Sequence, residues 1–165
     1  MPGLFSLGLH PALEAVQAEL RPNESLFAYL DDLYVLCTPE RARIIFDLVR
    51  ERLWEHSRIH VHLGKTKTYN AGAVEPPRMR ELGSLRDPCW VGDAALPPQE
   101  RGMIILGAPM GHPEYVRHQL RATRMSHDLL LGRLPAIPDL QAAWLILLFC
   151  ASPRCNHFLR MLTPD

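Results

Sequence analysis

Several features that commonly identify a protein class are missing from this 165-residue sequence. Its four cysteines include no Cys-x-x-Cys pair, which argues against a zinc ribbon and a thioredoxin-like motif. The longest apolar run, Ala142 to Ala151, has ten residues, whereas a membrane-spanning helix needs about 20. The first thirteen residues lack the charged start and the cleavage site of a signal peptide. We therefore expect an intracellular protein, in the cytoplasm or nucleus, with reduced thiols and no membrane partner.

Net charge is also missing, because 18 basic residues balance 18 acidic ones. This balance excludes a highly basic nucleic-acid coat protein and an acidic tail protein, but a total hides distribution. Residues 1–100 hold 14 acidic and 11 basic side chains, and residues 101–165 hold 4 acidic and 7 basic ones. Only Lys65 and Lys67 are lysines, and the other 16 basic residues are arginines, an excess that coding bias can also produce. A local basic surface is therefore compatible with zero net charge.

Local patterns in the first part of the chain predict a mixture of helices and strands. Apolar residues at helical spacing predict a helix over residues 3–20. Two short runs rich in strand formers, 26–30 and 33–37, predict a β-hairpin. A Thr-Pro-Glu start predicts a helix over residues 39–56. Alternation of apolar and polar residues predicts one more strand over 58–63.

The rest of the chain divides into three parts. Residues 71–100 contain five of the fifteen prolines, which predicts a loop or insertion and the least ordered part of the chain. Residues 101–112 are predicted to form a short strand followed by a turn at 108–111. Residues 113–165 are predicted to be helical, with a break before Asp139, which caps the last helix.

Asp31 and Asp32 form the most distinctive candidate site. They lie between the two apolar runs of the predicted hairpin, so we expect buried strands and two projecting carboxylates. Hard divalent cations such as Mg²⁺ or Mn²⁺ take oxygen ligands. Two such ions can activate an attacking hydroxyl and stabilise a leaving phosphate. The alternative is a solvated polar turn, in which aspartate is common.

The segment from Phe27 to Val35, FAYLDDLYV, closely resembles the catalytic hairpin of reverse transcriptases, the Tyr-x-Asp-Asp motif of the palm subdomain. Residues 2–13 resemble the helix that follows the family's Gln-Gly-Asp-Pro segment. Residues 63–68, LGKTKT, are similar to its basic Lys-Thr segment, and residues 104–107 resemble its Leu-Gly strand near the primer end. The C-terminal helices resemble the start of the thumb in retroelement polymerases. The resemblance covers most of the chain outside residues 71–100.

This resemblance implies RNA-directed DNA synthesis by nucleotidyl transfer. Asp31 and Asp32 would hold Mg²⁺ or Mn²⁺. Tyr29 would pack near the primer end, Leu30 near the incoming nucleotide, and Lys65 near the nucleotide phosphates. The partners would be an RNA or DNA template with a DNA primer, and a deoxynucleoside triphosphate. The family's other metal-binding aspartate and its fingers lie upstream of the matching residues. We therefore expect the missing N-terminal part of the polymerase as a further partner, and no polymerisation by this chain alone.

Three arginines, Arg117, Arg121 and Arg124, form a second candidate site. Their spacing of four and three residues places them on one face of the predicted helix. Contact with nucleic-acid phosphates is one interpretation of this basic stripe. An ordinary solvated helix face is the other.

Two further patterns carry less weight. A P-loop at Gly64 and Lys65 is excluded, because that pattern requires glycine where Ile59 stands. His60 and His62 lie two apart on the predicted strand and would point to the same side. They would form either a metal site or an ordinary strand face.

The predicted fold class is thus α+β with four parts. Residues 1–70 would be a partial palm, in which helices pack a small antiparallel sheet with the Tyr-Leu-Asp-Asp hairpin. Residues 71–100 would be the Pro-rich loop or insertion, 101–112 the primer-end strand and turn, and 113–165 the thumb-like helical segment. Two alternatives remain: a non-catalytic nucleic-acid-binding or scaffold fragment of the same fold, and a small α+β domain whose Asp-Asp turn is only structural.

Overall fold

The computed structural model describes residues 2–84, 86–153 and 156. The fold is α+β, as predicted, with helices and two separate two-stranded antiparallel sheets among these residues. The chain divides into two compact units, Met1–Asp93 and Ala94–Asp165.

The first unit begins with two long helices that flank a β-hairpin. In chain order these elements are α1 (Pro2–Glu19), β1 (Ser25–Tyr29), β2 (Asp32–Leu36) and α2 (Pro39–Ser57). All four lie within one residue of their predicted positions. Pro39 occupies the first turn of α2, where its missing N–H removes no helical hydrogen bond. The Thr38 side chain makes no cap hydrogen bond, so proline and the acidic first turn carry the start of this helix.

The core of the first unit lies between α1 and α2. Its buried residues come from one face of each helix and are Leu9, Ala12, Val16, Ile45, Val49 and Leu53. One face of the hairpin packs against this core through Leu26, Leu33 and Val35. Burial of a large aliphatic side chain stabilises a fold by about 1.5–3 kcal/mol. The hairpin therefore depends on the helix pair for its support.

A buried ion pair fastens the turn before β1 to the start of α2. The Nε of Arg41 donates to the Glu24 carboxylate at 2.7 Å, and the backbone N–H of Arg21 donates to it at 2.9 Å. These hydrogen bonds, the one from Arg41 first, lower the pKa of Glu24 to about 2. Glu24 is thereby held as a buried anion that links two elements of the first unit.

The predicted strand over residues 58–63 is wrong. Arg58 has a left-handed backbone (φ 55°) that ends α2, and the residues after it lead into a 3₁₀ turn at Leu63–Lys65. The His60 ring stacks on the Trp54 ring, with centroids 4.4 Å apart. Because these residues pair with no strand in the described part of the chain, His60 and His62 do not share a strand face.

The Pro-rich segment has little regular secondary structure, in agreement with the predicted loop. Several of its side chains are nevertheless buried. Its backbone bridges back to Thr68, whose N–H donates to the Cys89 carbonyl at 2.7 Å and whose carbonyl accepts from Val91. Met79, Cys89, Trp90 and Val91 are all buried. Residues 66–91 therefore bury several apolar side chains without much regular secondary structure.

The second unit contains a second hairpin followed by helices. Its elements are β3 (Gly102–Ile105), β4 (Ala108–Gly111), α3 (Pro113–Arg133) and α4 (Leu140–Ile146), and a π turn at Leu147–Ala151 continues α4. The predicted turn at 108–111 is wrong, because these residues form β4. The turn is Leu106–Gly107, where both residues have positive φ and Gly107 adopts it freely.

The predicted helical segment is confirmed over its described part. Asp139 caps α4 as expected, since its carboxylate accepts from the N–H groups of Gln141 (2.8 Å) and Ala142 (3.2 Å). Residues 154, 155 and 157–165, which belong to the predicted thumb-like segment, lie outside the described residues. Within the described residues, every helix is too short or too polar to cross a membrane.

Candidate functional site

The tip of the first hairpin brings four of the predicted site residues together. The register pairs Tyr29 with Asp32, and Leu30 and Asp31 form the two-residue turn between them. Both carboxylates are exposed. The expectation that the aspartates project at one end of the hairpin is therefore confirmed.

The expectation that the flanking strands are buried is wrong. In an antiparallel pair, residues opposite each other share a face of the sheet. On one face Leu26, Leu33 and Val35 pack against the core. On the other face Phe27, Tyr29 and Leu36 are exposed. The helix pair covers only one side of this two-stranded sheet, so the aromatic side faces solvent.

The turn itself has an unusual backbone. Leu30 has φ 56°, in the left-handed region that a leucine side chain disfavours. Such a conformation costs about 1–2 kcal/mol for a residue with a Cβ. The surrounding hairpin must therefore impose this geometry between Tyr29 and Asp31. Backbone strain of this kind is often found at functional sites.

Asp32 has a neighbour that the sequence interpretation overlooked. The hydroxyl of Tyr34 donates to a carboxylate oxygen of Asp32 at 3.2 Å. The two residues lie two apart on β2 and so share one face of the sheet. That spacing was the available signal for the contact. The hydrogen bond orients one of the two carboxylates and leaves its other oxygen accessible.

A divalent cation would find only part of a ligand set at this tip. Asp31 and Asp32 offer carboxylate oxygens, the donors that Mg²⁺ and Mn²⁺ prefer. However, residues 2–84, 86–153 and 156 contain no group of three or more acidic, histidine or cysteine side chains suited to a metal. The chemistry of the pair fits such a cation, and a complete site needs further ligands.

Lys65 is exposed at the end of its 3₁₀ turn, in the same unit as the aspartates. Among the described side chains, no hydrogen bond or ion pair joins Lys65 to Asp31 or Asp32. The neighbouring Lys67 donates to the Pro88 carbonyl at 3.0 Å. Its ammonium is thus used within the fold, and Lys65 is the more accessible cation of the two.

The three arginines of α3 lie on one exposed helix face, as predicted. Arg117 pairs with Glu114 at 2.6 Å, and Arg124 lies 3.7 Å from Asp128. Arg121 has no carboxylate within 4 Å among the described residues. The stripe is therefore basic but is partly neutralised at both ends. These arginines belong to the second unit, and the Asp-Asp tip belongs to the first.

Comparison with known proteins finds no relative of this chain. No protein-family model matches the chain, and no curated protein or solved structure is significantly similar to it. The function of the chain must therefore be inferred from the hairpin, its surroundings and the resemblance carried by the motif.

Proposed function

We propose that this chain is a fragment of a reverse transcriptase: the part of the palm with the Asp-Asp hairpin, followed by a thumb-like helical segment. In the intact enzyme the primer hydroxyl would attack the α-phosphate of a deoxynucleoside triphosphate and release pyrophosphate. Such an enzyme would act in the cytoplasm or nucleus. The observation that carries the proposal is the exposed pair Asp31–Asp32 at the tip of an antiparallel hairpin supported by α1 and α2.

Asp31 and Asp32 would hold Mg²⁺ or Mn²⁺. When bound, these ions supply charge stabilisation at the phosphates and lower the pKa of an attacking hydroxyl. The chain's own contribution is to fix two carboxylates at adjacent positions and to orient Asp32 through Tyr34. Because the described residues provide no third ligand, we infer that a carboxylate from an upstream segment completes the site and that this chain alone does not polymerise.

The other predicted site residues, two at the tip and Lys65 outside it, are all exposed, which supports the roles proposed for them. Tyr29 presents its ring beside Asp32 on the open face of the sheet, where it can pack against a primer end. Leu30 projects from the turn and would contact the incoming nucleotide. Lys65 offers an accessible cation for the nucleotide phosphates. Template and primer would be the nucleic-acid partners.

The proposal is tested first by sequencing the transcript upstream of the codon for Met1. We expect an in-frame Gln-Gly-Asp-Pro segment, preceded by a strand that bears an aspartate. The longer protein should extend a DNA primer on an RNA template with Mg²⁺ or Mn²⁺, and Asp31→Asn should abolish extension. Asp87→Asn, at an exposed lone aspartate of the same unit, should leave it intact. A longer protein that is inactive, or equally active with Asp31→Asn, would contradict the proposal.

The 165-residue chain provides its own test. It should incorporate no nucleotide under the same conditions. Clear incorporation that disappears with Asp31→Asn would overturn the inference that the chain needs an upstream segment.

A second candidate function is non-catalytic binding of nucleic acid or a scaffold role by the same fold. The exposed stripe of Arg117, Arg121 and Arg124 favours it, together with the incomplete ligand set. Each arginine that no longer neutralises a phosphate should reduce the slope of log affinity against log salt by about 1. Replacing Arg117 and Arg121 with alanine should therefore weaken binding to a primer–template duplex and lower that slope by about 2. Arg78→Ala in the first unit should change neither, and unchanged binding by the double variant would discard this candidate.

A further inference from the structure

The segment formed by α4 and its π turn exposes its largest apolar side chains. Leu140 is 85% exposed, Trp144 59%, Leu145 45%, Leu148 44% and Phe149 68%. We name these five residues the apolar helix face. Single exposed apolar residues are common on protein surfaces, but a contiguous group of this size is typical of an interaction site.

The five residues are contiguous around the helix. Successive members of the face lie one, three or four residues apart, which places them on one side of α4 and its π turn. Gln141 is the only polar residue among the exposed positions from 140 to 149. The opposite side carries the half-buried residues Ala142, Ala143, Ile146 and Leu147. This pattern is inverted relative to an ordinary surface helix, which places its large apolar side chains inward. The helix therefore has a second face that is fit for burial.

The charge pattern selects the class of partner. No charged residue occurs from Leu140 to Ala151, and the whole chain has zero net charge. Binding to nucleic acid or to an anionic lipid surface draws on lysine and arginine, and this face offers neither. A second copy of the chain would bring an identical uncharged apolar face. An isologous contact between the two would leave no buried charge unpaired.

The area is sufficient for such a contact. With about 200 Å² for a fully exposed large side chain, the five exposures correspond to on the order of 600 Å² per copy. Two copies would bury about 1,200 Å², the lower end of the range for specific interfaces. We propose that the apolar helix face is the interface between two copies of this chain. This proposal does not depend on the polymerase assignment.

Sedimentation equilibrium tests the proposal with two matched double variants. The wild-type chain should form dimers with a dissociation constant in the micromolar range. Leu140→Glu with Phe149→Glu should weaken dimerisation at least about tenfold, because each glutamate would be buried without a partner. Leu4→Glu with Leu7→Glu alters equally exposed leucines on α1 and should leave the constant unchanged. Far-ultraviolet circular dichroism would check whether each variant retains its helices.

Three results of the sedimentation experiment would overturn the proposal. The first is a wild-type chain that stays monomeric at several hundred micromolar, whether or not that monomer sediments with lipid vesicles. The second is a dissociation constant that Leu140→Glu with Phe149→Glu leaves unchanged. The third is a dimer that Leu4→Glu with Leu7→Glu weakens equally. A second measurement needs no charged substitution. Trp144 emission should shift to longer wavelength on dilution through the micromolar range, and Trp144→Phe, which retains Trp54 and Trp90, should show no shift. A wild-type emission that is independent of concentration would equally overturn the proposal.

Discussion

The molecule contains two hairpins with the same plan and different chemistry. Each joins two short antiparallel strands by a two-residue turn, Leu30–Asp31 in one and Leu106–Gly107 in the other. In each turn the leucine has positive φ, 56° and 48°. Where the second hairpin has Gly107, the first has Asp31, and Asp32 follows. The turn geometry thus does not by itself make a site, and the adjacent carboxylates are what distinguish the first hairpin.

The two hairpins also differ in what supports them. One face of β1–β2 packs on the α1–α2 core, and the preceding turn is tied to α2 by Glu24 and Arg41. The β3–β4 hairpin packs closely on α3, where Gly102 lies against Tyr115. Support by the α1–α2 core suits a site that must hold two like charges side by side. The helix pair fixes the strands while the tip stays in solvent.

The largest expected effect comes from removing the core beneath the first hairpin. Ile45→Ala should lower the free energy of unfolding of the first unit by about 2–5 kcal/mol, because it leaves a cavity at a fully buried position. Amide hydrogen exchange should show the loss in β1–β2 and little change in β3–β4. Ile44→Ala, at the exposed neighbouring residue, should cost less than about 0.5 kcal/mol. Equal loss of protection in both hairpins would contradict separate support.

The reciprocal variant affects the second hairpin. Gly102→Ala would place a Cβ into the Tyr115 ring and the Met110 carbonyl. Overpacking of this kind costs about 1–3 kcal/mol, and exchange protection should fall in β3–β4 and not in β1–β2. Gly132→Ala in α3 has open space around its Cβ and should stabilise the chain by up to about 1 kcal/mol. A neutral Gly102→Ala would show that this packing is not essential.

Acid should weaken the first hairpin more than the second. The pKa of Glu24 is about 2 in the folded chain, against about 4.5 ordinarily. A lowered folded pKa gives stability that is present above pH 4.5 and lost as the pH falls toward 2. Urea unfolding at pH 5 and pH 2.5 should therefore show a larger drop for the wild-type chain than for Glu24→Gln. Glu14→Gln, at an exposed position, should behave like the wild type.

The smallest expected effect tests the shared turn. Leu30→Gly and Leu106→Gly should each raise the free energy of unfolding by about 1 kcal/mol, since glycine adopts positive φ without the Cβ penalty. Leu30→Ala retains a Cβ and should give no such gain. If Leu30→Ala stabilised the chain as much as Leu30→Gly, loss of an exposed apolar side chain would explain the gain better than relief of backbone strain.

The local sequence was sufficient for most secondary structure. Apolar spacing located α1, the Thr-Pro-Glu start located α2, and strand formers around two aspartates located β1 and β2, because these patterns act over a few residues. The errors arose where contacts with neighbouring elements, and not the local pattern of residue types, decide the conformation. The alternation over 58–63 is strand-like, but the stacking of His60 on Trp54 and the left-handed Arg58 lead the chain elsewhere. Pro109 and Gly111 resembled a turn but pair in β4 as an edge strand.

The candidate site was predicted in its residues and not in its surroundings. The position of Asp31 and Asp32 followed from their place between two apolar runs. The exposed aromatic face, in contrast, depends on which side of the hairpin the helices cover. The pairing of Glu24 with Arg41 spans 17 residues and leaves no local pattern. The outward apolar face of α4 likewise depends on which side of this helix packs against the rest of the second unit. Such features require the assembled fold.

Divalent-cation binding at the first hairpin is the property on which the proposed function most directly depends. Titration of ¹⁵N-labelled chain with Mn²⁺ measures it, because a bound paramagnetic ion broadens nearby amide resonances. The account predicts selective broadening at Asp31 and Asp32, none at Leu106 and Gly107, and loss of the effect when both aspartates become asparagine but not in Asp87→Asn. Equal broadening at both hairpin tips, or none at Asp31 and Asp32, would contradict it and leave the Asp-Asp turn a structural feature.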